Sequence, residues 1–267
     1  MNEINKITMN STLLYIIAFL LTTIIHEFMH AFTGWSFDSN PVLHHNYVEH
    51  FSIEHLATNQ KALIALAGPV ISLIQGILSS LAYLRIRGKS HKLIHLFLLW
   101  FSVLGFFNFL GYLTTGFLFH KGDIGKVYNL LNIPLWIQIF LAIIAALLLV
   151  YVAFKMTAPY LRLSYKHAWL KDGKAKMNFS FHVLFLPWLI GSLIITVLYL
   201  PVIALISIIY PIMSGMIFIF PWKNADSIKE IIPSSNKEIG KLSYMGLGAL
   251  ILLILLFKLV MAPGIEL

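Results

Sequence analysis

The chain reads as long apolar runs parted by short polar stretches, with no sustained alternation of polar and apolar positions. Continuous runs predict helices, because a membrane strand alternates with period two. The first run spans about Ser11 to Phe32, the second about Ala62 to Leu84, and the third starts near Leu93. A fourth follows Pro134 to about Phe154, and the last covers about Leu242 to Met261. Between them, Val183 to Phe220 is too long for one span and barely enough for two, with Pro201 and Pro211 as breaks. Most of these runs approach or exceed the roughly 20 residues needed to cross a bilayer, where only helices or closed barrels satisfy their own backbone. The pattern therefore predicts an all-α, polytopic membrane protein with six or seven transmembrane helices.

Composition agrees and narrows the function classes. Of 267 residues 59% are hydrophobic and 11% charged, and the mean hydropathy is +0.83, far from an ordinary soluble domain. The net charge of +8 does not indicate nucleic acid, since 10 of the 19 Lys and Arg sit in two short loops, Arg85, Arg87, Lys89 and Lys92 and then Lys155, Arg162, Lys166, Lys171, Lys174 and Lys176. Basic loops mark the cytoplasmic side, which puts the N-terminus inside and Trp35 to Gln60 outside. Lys6 precedes the first run, but no small-residue cleavage site follows, so that run is expected to be a retained span. The expected location is the plasma membrane. With no cysteine, disulfides, thiolate ligands and cysteine-protease chemistry are excluded.

The chemistry concentrates at His26-Glu27-Phe28-Met29-His30, an HExxH at the end of the first run. Residues i and i+4 share a helix face, so His26 and His30 can reach one metal while Glu27 accepts a proton from metal-bound water. Burying these groups after the uncharged Ser11 to Ile25 is costly unless a metal compensates. The alternative is a satisfied structural cluster. A second candidate, the loop histidines His44, His45, His50 and His55, shows no ligand spacing and reads as a solvated or membrane-surface loop.

Two histidines leave zinc needing a third protein ligand. Asp123 is the leading choice, with His120 as runner-up. Gly111, Thr114, Thr115 and Gly116 predict a broken helix before Asp123, and a chain turning back inward there would bring the carboxylate to the depth of the histidines. Were that stretch straight, Asp123 would instead cap the next helix. Gly68-Pro69 reads as a helix start, and Ser72, Gln75, Gly76, Ser79 and Ser80 form a face of small and weakly polar residues suited to helix packing. Asn108 is a candidate to steady substrate backbone or an oxyanion, or else to bond between helices.

An HExxH closing an early span, a Gly-Pro in the next, and a later span with Asn108 followed by Asp123 resemble the site-2 protease family of intramembrane zinc metallopeptidases. In that family the later motif reads Asn, then Pro, then Asp-Gly; here no proline separates Asn108 from Asp123, the gap is longer, and Ile124-Gly125 follows. The resemblance implies a three-helix core binding zinc through His26, His30 and Asp123 with Glu27 catalytic. It covers roughly the first half, so the expected division is a protease core at 1–130 and additional transmembrane helices at 131–267. Family members hold their metal nearer the cytosolic face, whereas the Lys/Arg count here puts it nearer the outer one. The expected substrate is a transmembrane protein or peptide, reached from the lipid bilayer, with no nucleic-acid partner. Two rivals remain at this point: a metal transporter or metal-binding membrane protein, and a non-catalytic relative that binds transmembrane helices.

Overall fold

A computed structural model describes residues 2–88, 91–200, 211–212, 215–229 and 231–267. Lys89 and Pro201, both named above, lie outside them. Among the described residues six helices are long and apolar enough to cross a membrane. These are α1 (Glu3–Trp35), α2 (Thr58–Ile86), α3 (Lys92–Thr115), α5 (Leu135–Leu161), α6 (Gly173–Leu198) and α8 (Tyr244–Met261). The shorter α4 (Asp123–Leu130) and α7 (Ile219–Asn224) complete the set used here. The chain thus reads as a helical membrane protein, and the stretch on which a seventh span would depend falls largely on residues 201–210.

Three details differ from the sequence expectations. Pro69 does not open α2 but lies well inside it; a proline removes one backbone donor, and the helix continues around the loss. The third span does end within the Gly111 to Gly116 stretch, but α3 runs unbroken through Gly111 and stops only at Thr115. Thr114 and Thr115 return their hydroxyls to the carbonyls of Leu110 and Gly111, both at 2.8 Å, so these polar side chains are satisfied within their own helix. Nor is the connection after α1 a solvated loop. It contains β1 (Pro41–Leu43) and β2 (Val48–His50), which pair antiparallel as Pro41 with His50 and Leu43 with Val48. The C-terminal β3 (Ile265–Glu266) adds to the other edge of β1, giving the order β2-β1-β3. A small sheet therefore accompanies the helices.

The chain forms two compact units. The first gathers Met1–Phe19, Leu78–Val103 and Val150–Leu250. Its core is aromatic: Trp100, fully buried, meets Tyr15, Tyr160 and Phe218 edge-on at 4.9, 5.3 and 5.4 Å, the geometry that places ring edges on ring faces. The buried polar residues of α1 in this unit, Thr8, Asn10, Ser11 and Thr12, are satisfied. Asn10 donates to the carbonyls of Ile239 and Lys241 and accepts from the amide of Ser243. Trp100 Nε1 donates to Ser11 Oγ, which donates to the carbonyl of Val183.

The second unit gathers Leu20–Ile77, Leu104–Leu149 and Ile251–Leu267. Here α2 and α3 approach so closely that a Cβ on Gly105 would stand 2.6 Å from the carbonyl oxygen of Ser72. The small-residue face of α2 is thus a packing face, as small residues permit between membrane helices. Ala31, Leu43 and Met261 form a buried cluster flanked by Ile24, Val48 and Ile265, which ties the sheet to α1 and α8.

Candidate metal centre

All parts of this centre lie in the second unit. The helical spacing of His26 and His30 puts their rings edge to face, with centroids 4.7 Å apart. Both are buried. Asp123 arrives through a turn, as foreseen, though the turn begins after Thr115 and Asp123 then opens a new helix. The chain leaves α3 at Thr115, turns, and re-enters a helix at Asp123, where Gly122 occupies the cap position without a side-chain bond. Asp123 is therefore the first residue of α4, not its cap, and its carboxylate points to the histidines.

The three donor atoms converge. Asp123 Oδ2 is 3.0 Å from His26 Nε2 and 3.3 Å from His30 Nε2, and the two Nε2 atoms are 3.1 Å apart. Ligands at about 2.0 Å from a tetrahedral zinc would be separated by roughly 3.3 Å, so the spacing fits one ion. All three ligand atoms lie within 4.8 Å of one another, and the group could hold a metal ion.

Hydrogen bonds behind the rings sharpen that reading. His30 Nδ1 lies 2.6 Å from the carbonyl of Ile64 and must donate to it, which leaves Nε2 with its lone pair. Ser72 donates its hydroxyl to the carbonyl of Gly68 at 3.0 Å, so its oxygen is free to accept from His26 Nδ1 at 3.2 Å. In that assignment both Nε2 atoms and the carboxylate oxygen present lone pairs to one point, an arrangement that repels itself unless a cation sits there. Burial works against the charge on Asp123. Protonated imidazoles would serve the same end as a metal, and it is their positive charge that holds the carboxyl well below the usual carboxylate range against that opposing effect.

Room for an ion comes from Gly68. A Cβ at this position would lie 2.4 Å from His30 Nε2 and 2.6 Å from His26 Nε2. Glycine is thus demanded by the close approach of the donors, not by helix initiation. Tyr112 stacks on His26 at 5.3 Å with an interplanar angle of 13° and limits the tilt of that ring.

Glu27 is half-buried, within electrostatic reach of His26, His30 and Asp123. His120 is exposed and stands outside the group. Asn108 is buried on α3, and its Oδ1 has no hydrogen-bond partner among the described residues. Ser72 and Ile64 were not foreseen as supports. Ser72 carried a signal, being on the polar face of α2 one turn after Gly68; Ile64 acts through its carbonyl, which any residue would supply.

The loop histidines are not solvated as a group. His44 and His45 are buried, His50 is half-buried with Nδ1 2.8 Å from Ser39 Oγ, and His55 is exposed. His44 stacks on Tyr47 at 4.2 Å, and His45 meets Phe257 edge-on at 4.7 Å. Burial pushes His45 and His50 down to about 4, with Lys258 adding to the effect at His45.

No family model, curated protein or solved structure matches this chain.

Proposed function

We propose that this protein is an intramembrane zinc metallopeptidase of the site-2 protease type, cleaving peptide bonds in or beside a transmembrane segment of a protein substrate. The observation that carries the reading is the convergence of His26, His30 and Asp123 donor atoms around Gly68, with Glu27 alongside. A two-nitrogen, one-oxygen set with an open fourth position suits catalytic zinc.

When bound, zinc would acidify a water and polarise the scissile carbonyl. The remaining work belongs to the chain. Glu27 takes the proton of the attacking water and passes it to the departing amine, a task for a carboxylate within hydrogen-bond reach of both. Ile64 and Ser72 keep both imidazoles in the tautomer that frees Nε2. Asn108, with an unused buried acceptor, offers a bond to a substrate backbone N–H.

The test begins with zinc content of the detergent-purified protein. Wild type should hold about one ion per chain and both His26→Ala and Asp123→Ala should lose it. Glu27→Gln should keep the ion and lose about 100- to 10,000-fold in cleavage of a membrane-embedded peptide. A wild type that takes no zinc after loading, or a Glu27→Gln variant that cleaves normally, overturns the proposal; the latter result with intact metal would favour a metal-handling protein.

A further inference from the structure

The first unit contains a site that the peptidase reading does not use. The ends of α2 and α5 and the start of α3 border a cavity of about 330 Å³ lined by Tyr83, Arg87, Lys92, His95, Arg162 and Leu163. Two of those six side chains, Arg87 and Arg162, are permanent cations, and Lys92 is a third basic group. Among the described residues no carboxylate forms an ion pair with Arg87 or Arg162. Glu238 offsets part of the charge of Lys92 and lies within electrostatic reach of His95, while its Oε2 accepts from the backbone amides of Lys92 and Leu93 at 2.5 and 3.4 Å. Among the described residues the two guanidinium groups are therefore left without a carboxylate partner.

The recess is also shaped. Tyr83 is buried among the lining residues, within electrostatic reach of Arg87 and Arg162. His95 is buried, with Nε2 donating to the carbonyl of Ile86 at 2.8 Å, so the ring is locked and helps close the end of α2. Guanidinium groups present paired donors that match phosphate oxygens. On the same helix ends Leu81, Leu84 and Ile94 are about half exposed, as side chains facing acyl chains would be. A cationic recess adjoining apolar side chains at the ends of membrane helices matches an amphiphile with an anionic head.

We propose that this cavity binds the phosphate headgroup of an anionic phospholipid, with the lipid's acyl chains along Leu81, Leu84 and Ile94. Native mass spectrometry of the full chain, titrated in detergent with phosphatidylglycerol, phosphatidylcholine or inorganic phosphate, tests it. Wild type should bind phosphatidylglycerol about tenfold more tightly than phosphatidylcholine, and R87Q/R162Q should weaken phosphatidylglycerol binding about 25-fold, each surface cation contributing about fivefold. The charge-matched control R85Q/K174Q changes residues outside the cavity and should stay within about twofold of wild type. Displacement of phosphatidylglycerol by millimolar inorganic phosphate, lost in R87Q/R162Q, would keep the phosphate site and identify free phosphate as its source. Equal binding by R87Q/R162Q and wild type overturns the proposal, as does an equal loss in both double variants, which would reduce the effect to diffuse charge. If R87Q/R162Q fails to fold, R162Q alone, at an exposed side chain, should show about a fivefold loss, and no loss there overturns the proposal equally.

Discussion

In the first unit Asn10, Ser11 and Trp100 bury their polar atoms against partners, whereas in the second Asn108 Oδ1, His44 Nε2 and Gln138 Oε1 are buried with no partner among the described residues. Charge divides in a similar way. The second unit holds only Lys61, Lys121, Lys126 and Lys258 of the chain's 19 Lys and Arg, yet it contains His26, His30, Asp123 and all four loop histidines. A buried polar atom left unbonded costs about 1–3 kcal/mol. The first unit has its own such atom in Tyr160 Oη, so the difference is one of degree, with more of the unspent polar chemistry in the second. The basic loops of the first unit are those the positive-inside rule assigns to the cytoplasm.

That contrast breaks first at Gly68. Gly68→Ala places a methyl where the two Nε2 atoms meet and should abolish zinc binding while circular dichroism shows the helices retained. Survival of the metal would mean that the donors do not converge as described. In the first unit, Trp100→Ala should cost about 3–5 kcal/mol, read as a lower thermal midpoint in detergent, because it empties the centre of the aromatic core. Zinc stoichiometry of the folded fraction should be unchanged. Ser72→Ala removes only the acceptor behind His26, so zinc affinity should fall about 10- to 100-fold by competition with a chelator.

Smaller effects sharpen the comparison. Asn108→Leu removes an acceptor that the fold leaves unbonded, so stability should hold or rise by about 1 kcal/mol while cleavage slows. An equal fall in stability would make Asn108 structural. His45, held down to about 4, favours the neutral ring in the folded chain. The unfolded chain, titrating near 6.5, takes up its proton first. The contribution of His45 is therefore complete above about pH 6.5 and is lost as pH falls toward 4. His45→Phe should lessen the drop in thermal midpoint between pH 7.5 and 5, leaving the share due to His50, which is depressed in the same way.

Much of this was legible along the chain. Hydropathy located the helices to within a few residues at most ends, since a bilayer demands about 20 apolar residues wherever it is crossed. Polar residues inside those runs misled more often. Pro69 looked like a helix start because proline favours first turns, but packing carried α2 through it. The glycines and threonines before Asp123 did mark the end of α3, but at Thr115 and not at Gly111, with the threonine hydroxyls bonded within their own helix. The strands β1, β2 and β3 were too short to show a period, and β3 pairs with a segment more than 200 residues earlier.

The sequence by itself determined the membrane helices and the shared face of His26 and His30, because both follow from periods that repeat every few residues. Only the tertiary structure decided that Asp123 and not His120 joins them, that Gly68 leaves the space between their donors, and that Ser72 and a backbone carbonyl fix their tautomers. Those relations join α1, α2 and α4 across 97 positions of chain between His26 and Asp123, and contacts at such separations depend on how the helices pack, which no local pattern encodes.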